Sequence, residues 1–433
     1  MKIFLKKIAS DKFIKNNFIF FTGSMIVAFL NYIYHPALGR IMDVESFGEV
    51  QVIISIFLFL AIFGGVFKNI VVNLVANIED KAEREKLILM LGKFAYYFFI
   101  IISFLLIIFS GELKEKLKFD SFWPFIVLAS LLFLGNFFNI RQAILQGLNK
   151  FSEISIANII MSAGRLIFAV ILVYIGWSSF GAIMGMLIAQ TIAFFYVLLK
   201  TKDHLGLNRN KKIKINDKIK KELIYGILIL AGTLCITFLY TFDVIIVKYY
   251  FPADEAGLYS GIATIARIIF FITGSISAVL LPAIKINDKK NENLKILLKA
   301  LFLIVAIGGA VLLTFFLFYN TVVNTLIGEK YLSFAGFLPN LSILLFFVSI
   351  INILFFYLFA LRNRLLFFPA IFAPLIVTIL SFFNHQSINN IINNFILGSV
   401  LILISLLFII YLEICKSKKK HGKEADINNN SGI

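Results

Sequence analysis

The sequence predicts an all-α integral membrane protein of about twelve transmembrane helices, with both ends of the chain on the cytoplasmic side. Three observations lead there. Of the 433 residues 60% are hydrophobic and only 15% are charged, where soluble domains carry about 25% charged residues. The apolar residues gather into runs of helix length. Lysine and arginine are dense in alternate connections between those runs and sparse in the others.

The runs fall at 16–38, 47–67, 87–109, 121–140, 155–174, 180–199, 223–248, 259–282, 299–318, 335–360, 365–383 and 395–415. Each approaches the roughly 20 apolar residues needed to cross about 30 Å of hydrocarbon at 1.5 Å per residue. An open strand cannot cross lipid with its backbone groups unpaired, so each run is read as a helix. The first run follows Lys2, Lys6 and Lys7, as in a signal peptide, but it is too long for a signal core and lacks a small-residue cleavage site. It is therefore the first span.

The basic residues test the count. With the N-terminus inside, the inside segments hold 31 Lys and Arg, and the outside loops hold 5: Arg40, Lys114, Lys116, Lys118 and Lys330. A miscount by one helix would scramble this alternation, and the bias follows the rule that cytoplasmic loops are basic. The net charge of +17 is thus a topology signal, and nucleic acid is not needed to explain it. The most basic connection, 200–222, divides the chain into a six-helix bundle over 1–199 and another over 223–415, with a cytoplasmic tail at 416–433. The two halves share a faint pattern. Arg40, Glu45 and Gly48 join the first two helices of one half; Lys248, Asp254, Glu255 and Gly257 join the first two of the other. Six helices per half gives both halves the same orientation, as in parallel repeats.

Several classes of function are excluded. The outside loops reach about 16 residues at most, too little for an external catalytic domain. No GxxxxGK[ST], HExxH or GxSxG pattern occurs, so the reading is not an enzyme. Cys235, Cys415 and the four histidines are scattered without metal-ligand spacing. No metal and no cofactor are expected.

The informative residues are ionisable groups within the apolar runs: Lys68, Lys93, Arg165, Asp243, Lys248 and Arg267. A charge at mid-bilayer costs about 2.5–3.5 kcal/mol on insertion scales and so faces a cavity or a partner. Five cations against one acid cannot all pair, and a cavity lined this way attracts an anion. Arg165 crowns a helical face made with Ser155, Asn158 and Ser162. Ser24, Ala28, Asn31 and His35 form a similar face on the first helix; small and polar faces of this kind also serve plain helix packing. Asp243 and Arg267 lie within roughly 3 Å in depth on antiparallel helices. Asp243 is therefore either an ion-pair partner or the group that takes up a coupling ion. Lys248, Lys68 and Lys93 are near enough to the interfaces to snorkel.

Several stretches together resemble the O-antigen and polysaccharide flippases (Wzx-type) of the multidrug/oligosaccharidyl-lipid/polysaccharide exporter superfamily. They are Arg40 to Gly48; Arg141, Leu145, Gln146, Gly147, Lys150 and Phe151; Asp243, Glu255 to Ser260, Leu281 and Pro282; and Gly328, Lys330 and Tyr331. The resemblance covers nearly the whole chain. It implies two six-helix bundles around a central cavity. It also implies a polyprenyl-pyrophosphate-linked oligosaccharide as substrate, moved from the cytoplasmic to the periplasmic leaflet of the bacterial inner membrane. Membrane lipid, a coupling proton or sodium ion and other polysaccharide-assembly membrane proteins are the partners to expect, and no nucleic acid. On this reading Arg165, Arg267, Asn31, Lys68, Lys93 and Lys248 bind substrate and Asp243 couples an ion. Two other readings stand beside it: a cation-coupled drug exporter, for which only Asp243 supplies a buried carboxylate, and a membrane polymerase or ligase of the same glycan pathway.

The topology is testable by itself. Single cysteines labelled with an impermeant thiol reagent should report 200–222 and the tail after Cys415 from the cytoplasm, and 250–258 and 384–394 from outside. Labelling of 200–222 from the periplasm would break the twelve-helix count.

Overall fold

The computed structural model describes residues 12–77, 81–202, 217–284 and 290–430; most of the 200–222 connection lies outside them. Among the described residues there are helices and no strands. In chain order these are α1 (Lys12–Ile41), α2 (Val44–Asn77), α3 (Lys81–Ile108), α4 (Ser110–Lys116), α5 (Trp123–Gly147), α6 (Phe151–Leu172) and α7 (Ser178–Thr201). After them come α8 (Asp217–Tyr250), α9 (Ala253–Ala266), α10 (Ile268–Ala283), α11 (Lys290–Leu317), α12 (Tyr319–Ile327), α13 (Leu338–Ala360), α14 (Phe367–Phe383) and α15 (Ile388–Asn430).

Ten stretches are long and apolar enough to cross a membrane by length and composition alone. One of them, Phe151–Thr201, is 51 residues long, and at 1.5 Å per residue that is more than twice the hydrocarbon thickness. It is two spans. A π-helical turn, Val173–Trp177, separates α6 from α7, with Gly176 at φ 97° and Ser178 at φ 46°. Glycine adopts that left-handed conformation without a Cβ clash, so the chain can reverse there. With α1, which occupies the first predicted run, the count reaches the predicted twelve. The pair α9 and α10 makes one span, because the helical ladder continues across Arg267. Its N–H donates to the Ala263 carbonyl at 3.1 Å and its carbonyl accepts from Phe271 N–H at 3.1 Å.

The surface is inside out relative to a soluble protein. Tyr174, Phe302 and Phe383 are 81%, 71% and 73% exposed, and Phe94, Phe104, Phe368 and Phe408 are exposed as well. In water such a surface would aggregate; lipid tails are as apolar as the side chains. Gln51, Ser55, Asn136, Gln142 and Asn352 are instead buried.

The chain folds as two compact units. The first comprises Met1–Gly226 together with Phe251–Gly261 and Leu326–Lys330. In it α6 packs on α1 and α7, and α5 packs on α2, α3 and α7. A buried carboxylate fastens one end. Glu49 Oε1 accepts the Asp120 N–H at 2.7 Å and its Oε2 accepts the Ser179 hydroxyl, tying α2 to the loop before α5 and to the start of α7. The second unit comprises Ile227–Tyr250, Ile262–Thr325 and Tyr331–Ile433. There α13 packs against α10, α11 and α15. Phe238 stacks on Phe395 at 5.7 Å between centroids, and the Thr273 hydroxyl donates to Ser349 Oγ at 2.8 Å.

The contact between α6 and α7 depends on small residues. A Cβ added at Gly185 would lie 2.5 Å from the Ala169 nitrogen, whereas one added at Gly65 would meet nothing within 4 Å. Overpacking costs about 1–3 kcal/mol or more when backbone is in the way. Gly185→Leu should therefore cut the amount of folded protein in membranes severalfold, measured by detergent-solubilised monodisperse yield. Gly65→Ala should leave it unchanged.

Candidate functional site

Within the first unit, the polar face predicted for α6 meets the polar face predicted for α1. The two backbones approach closely: a Cβ on Gly23 would lie 2.6 Å from the Ser155 Cβ. One contact up this seam is that of Arg165. Its Nη2 donates to Asn31 Oδ1 at 2.9 Å, and its guanidinium carbon lies 4.2 Å from the centre of the Tyr34 ring. Tyr34 is fully buried, and its hydroxyl donates to the Ala182 carbonyl of α7 at 3.5 Å. Arg165 Nε has no hydrogen-bond partner among the described residues, nor do the buried Ser155 and Ser162 hydroxyls on the same face.

The magnitudes decide what this cluster can do. Burying the charge costs about 2.5–3.5 kcal/mol. A hydrogen bond to a charged group returns about 1.5–3 kcal/mol, and a cation over an aromatic face up to about 2 kcal/mol when desolvated. The partners hold the guanidinium in place and nearly offset its insertion, but all of them are neutral. No carboxylate pairs with Arg165 among the described residues, so its positive charge is left uncompensated.

Seven residues before Arg165, about 10 Å along α6, Asn158 is linked through Gln142 to a cation of another helix. Lys68 Nζ of α2 donates to Gln142 Oε1 of α5 at 2.8 Å, and Gln142 Nε2 donates to Asn158 Oδ1 of α6 at 2.6 Å. Toward the other end of α1, one turn beyond Asn31, His35 Nδ1 lies 3.1 Å from Nε2 of the fully buried Gln51. Lys68, Arg165 and His35 thus mark polar positions inside the first bundle, met by the amides of Gln142, Asn31 and Gln51 and by the Tyr34 ring.

The second unit handles its charges differently. Arg267 Nη2 lies 3.5 Å from Asp243 Oδ1, with the two side chains 5% and 2% exposed. The pair foreseen from depth alone is formed. Lys248 is completely buried in this unit rather than extended to an interface. Lys93 lies on an exposed face of α3, away from these positions. Of the candidate residues, the structure therefore brings Arg165 and Asn31 together, links Lys68 of α2 to Asn158 of the α6 face through Gln142, and pairs Asp243 with Arg267.

Sequence reasoning missed Tyr34, Gln142 and Glu49. Tyr34 carried a usable signal, since it falls three residues after Asn31 on the same helical face. Gln142 and Glu49 gave none, because their roles depend on which distant helix each one meets.

The fold is similar to several solved transporters. An inward-facing multidrug resistance transporter of the MATE family, MOP superfamily, matches with a TM-score of 0.68 at 16% identity, over 90% of this chain and 96% of that one. The lipid II flippase MurJ in an inward closed conformation matches with a TM-score of 0.69 at 18% identity, over 91% and 87%. A MOP superfamily transporter from Pyrococcus furiosus, described as having a binding pocket of reversed polarity that suggests a different function, matches at 0.58 and 16% identity over 92% and 94%. At these identities the likeness shows the shared fold. A comparison with curated protein sequences finds no match. In sequence, the model of the polysaccharide biosynthesis protein family matches residues 13–287. That is well over half of the chain, and the chain belongs to this family.

Proposed function

We propose that this protein is a flippase that moves a polyprenyl-pyrophosphate-linked oligosaccharide, such as an O-antigen or other surface-polysaccharide unit, from the cytoplasmic to the periplasmic leaflet by alternating access. It sits in the bacterial inner membrane with both termini in the cytoplasm. The observation that carries the reading is the Arg165 cluster: a guanidinium inside a membrane bundle, oriented by Asn31 and Tyr34 and given no counter-charge by them. Pyrophosphate supplies that counter-charge. A planar fork donates two parallel hydrogen bonds to phosphate oxygens and keeps its proton at any working pH. Lys68, tied through Gln142 to Asn158 of the same helix as Arg165, adds a second positive charge to the bundle interior. The family match and the fold shared with a lipid II flippase support the same class of cargo.

A cation-coupled drug exporter needs a free buried carboxylate. Of the two carboxylates buried among the described residues, Asp243 faces Arg267, and Glu49, which the sequence reading did not single out, accepts from the Asp120 N–H and the Ser179 hydroxyl, which favours the anion-handling reading. Asp243 enters our mechanism as the group that takes up a proton or sodium ion when its contact with Arg267 loosens. Arg267, Lys248 and Lys93 are further candidates for substrate contact. Membrane lipid carries the polyprenyl tail, and other assembly proteins of the glycan pathway are expected at the membrane.

Arg165→Ala should lower glycan export about 10- to 100-fold, the effect of losing roughly 1.5–3 kcal/mol of charge-assisted binding, while the protein accumulates normally. Arg165→Lys should recover part of it, because charge is kept and the fork is lost. Export would be scored by lipid-linked glycan stranded on the inner leaflet. Parental export in Arg165→Ala at normal abundance would remove the anion site from this residue.

The ion-coupling role of Asp243 separates from simple pairing in a double mutant. Breaking a buried pair by removing one partner costs about 3–5 kcal/mol, so Asp243→Asn alone should impair both fold and transport. Adding Arg267→Gln removes the orphaned charge and should restore membrane accumulation. If Asp243 couples an ion, export stays lost in the double mutant; recovery of export would reduce it to a structural partner.

A further inference from the structure

The connection between α14 and α15, with the first turns of α15, is built from amides. Six of the eleven residues 384–394 are asparagine or glutamine, and none is Asp, Glu, Lys or Arg. The stretch 109–122 of the first unit, which charge asymmetry assigns to the same outer side, instead holds Glu112, Lys114, Glu115, Lys116, Lys118 and Asp120. The amides of the second unit are joined in a fixed chain. The buried Asn394 donates through Nδ2 to the Asn384 carbonyl at 2.9 Å, and its Oδ1 accepts from Asn384 Nδ2 at 3.3 Å. Asn390 Nδ2 donates to Asn384 Oδ1 at 2.8 Å and to Gln386 Oε1 at 3.1 Å. These bonds use both hydrogens of the Asn390 amide and leave its Oδ1 to accept. The start of α15 does not need the chain. Ser387 caps it, since the Asn390 N–H donates to the Ser387 carbonyl at 3.0 Å and to its hydroxyl at 3.2 Å.

Two aromatic rings stand in the same place. His385, between two members of the amide chain, stacks on Tyr250, the last residue of α8 and part of the same unit. The ring centroids are 3.9 Å apart and the planes are inclined by 17°. Tyr249 meets Tyr250 nearly at right angles, 4.9 Å away, and is 45% exposed. His385 Nδ1 lies 2.8 Å from the Phe382 carbonyl oxygen. A carbonyl can only accept, so in the neutral ring Nδ1 carries the proton and Nε2 is an acceptor.

We propose that this end of the second unit is a sugar-binding site, which holds the oligosaccharide part of the cargo on the outer side of the membrane. The proposal rests on the glycan cargo of the function proposed above. Sugars are dense in hydroxyl groups, each both donor and acceptor, and an amide side chain offers both kinds of partner without a charge to desolvate. The C–H edges of a sugar ring are slightly positive and lie well against the negative face of an aromatic ring. Tyrosine and asparagine together supply rigid contact area and adaptable hydrogen bonds. The amide chain and the stacked rings hold one another in place, so little ordering is left to be done on binding. The Arg165 cluster then recognises the pyrophosphate, and Tyr250, His385 and Asn390 recognise the uncharged remainder of the same molecule.

The test is saturation-transfer NMR on the full chain in lipid nanodiscs. The probe is the repeat-unit oligosaccharide of the source bacterium's own surface polysaccharide, freed from its carrier by mild acid and therefore without phosphate. It should bind the parent protein. Tyr250→Ala and Asn390→Ala should each weaken binding about 3- to 10-fold, the effect of losing one ring face or one hydrogen bond. His385→Phe keeps the stack and removes the nitrogen acceptor, so it should weaken binding less than His385→Ala. If Tyr250→Ala fails to accumulate, Asn390→Ala and the two His385 variants decide. No binding to the parent protein, or equal binding to the parent and the variants, overturns the site. Export lost in these variants with oligosaccharide binding intact also overturns it, and marks the surface as a contact for another protein. The two readings fail separately. Parental export in Arg165→Ala, with oligosaccharide binding that still depends on Asn390, removes the anion site and keeps the sugar site. Export lost in Arg165→Ala, with no oligosaccharide bound by the parent protein, does the reverse.

Discussion

Hydrocarbon offers no hydrogen bonds. Each polar group that enters the membrane must therefore find a partner on another helix or forgo several kcal/mol of solvation. The architecture follows from that single constraint. The backbone satisfies itself as helices. Many large apolar side chains face outward, where little is gained by hiding them. The serines, asparagines and glutamines turn inward and meet in the seams between helices. A set of polar positions inside the first bundle is the direct result, and it exists whether or not it binds anything.

What gives these positions their character is the choice of partners. Arg165 and Lys68 are met by amides and an aromatic ring; Arg267 is met by a carboxylate. The two solutions differ in charge. Neutral partners orient a cation and leave its field intact, whereas a carboxylate cancels it. In a low-dielectric interior the difference extends over many ångströms. In the first unit Arg165 and Lys68 keep neutral partners, while in the second Arg267 lies against the carboxylate of Asp243.

Small residues make these contacts possible. Short side chains such as Asn31 reach across a seam only where the backbones approach closely, and Gly23 against Ser155 provides that approach for α1 and α6. The same physics recurs at Gly48 and Gly257, but there the fastening groups are lysine and arginine on carbonyls. One seam is held by buried amides; at the other, basic side chains donate to backbone carbonyls.

The sequence by itself determined the fold class, the number of spans and the polar faces of α1 and α6. These are one-dimensional properties: a run length against a fixed hydrocarbon thickness, a charge count on alternate loops, and a 3.6-residue period. The pairing of Asp243 with Arg267 was legible for the same reason, since depth in a membrane can be counted along the chain. Only the tertiary structure decided which faces meet. It set Tyr34 under Arg165, linked Lys68 to Asn158 through Gln142, buried Lys248 completely and left Lys93 outward. It also turned a faint repeat of glycines into a contact between two backbones. Each of these depends on the rotation of a helix about its own axis and on the neighbour it packs against. Those are set by close packing among residues far apart in the chain, a quantity that no local run of residues encodes.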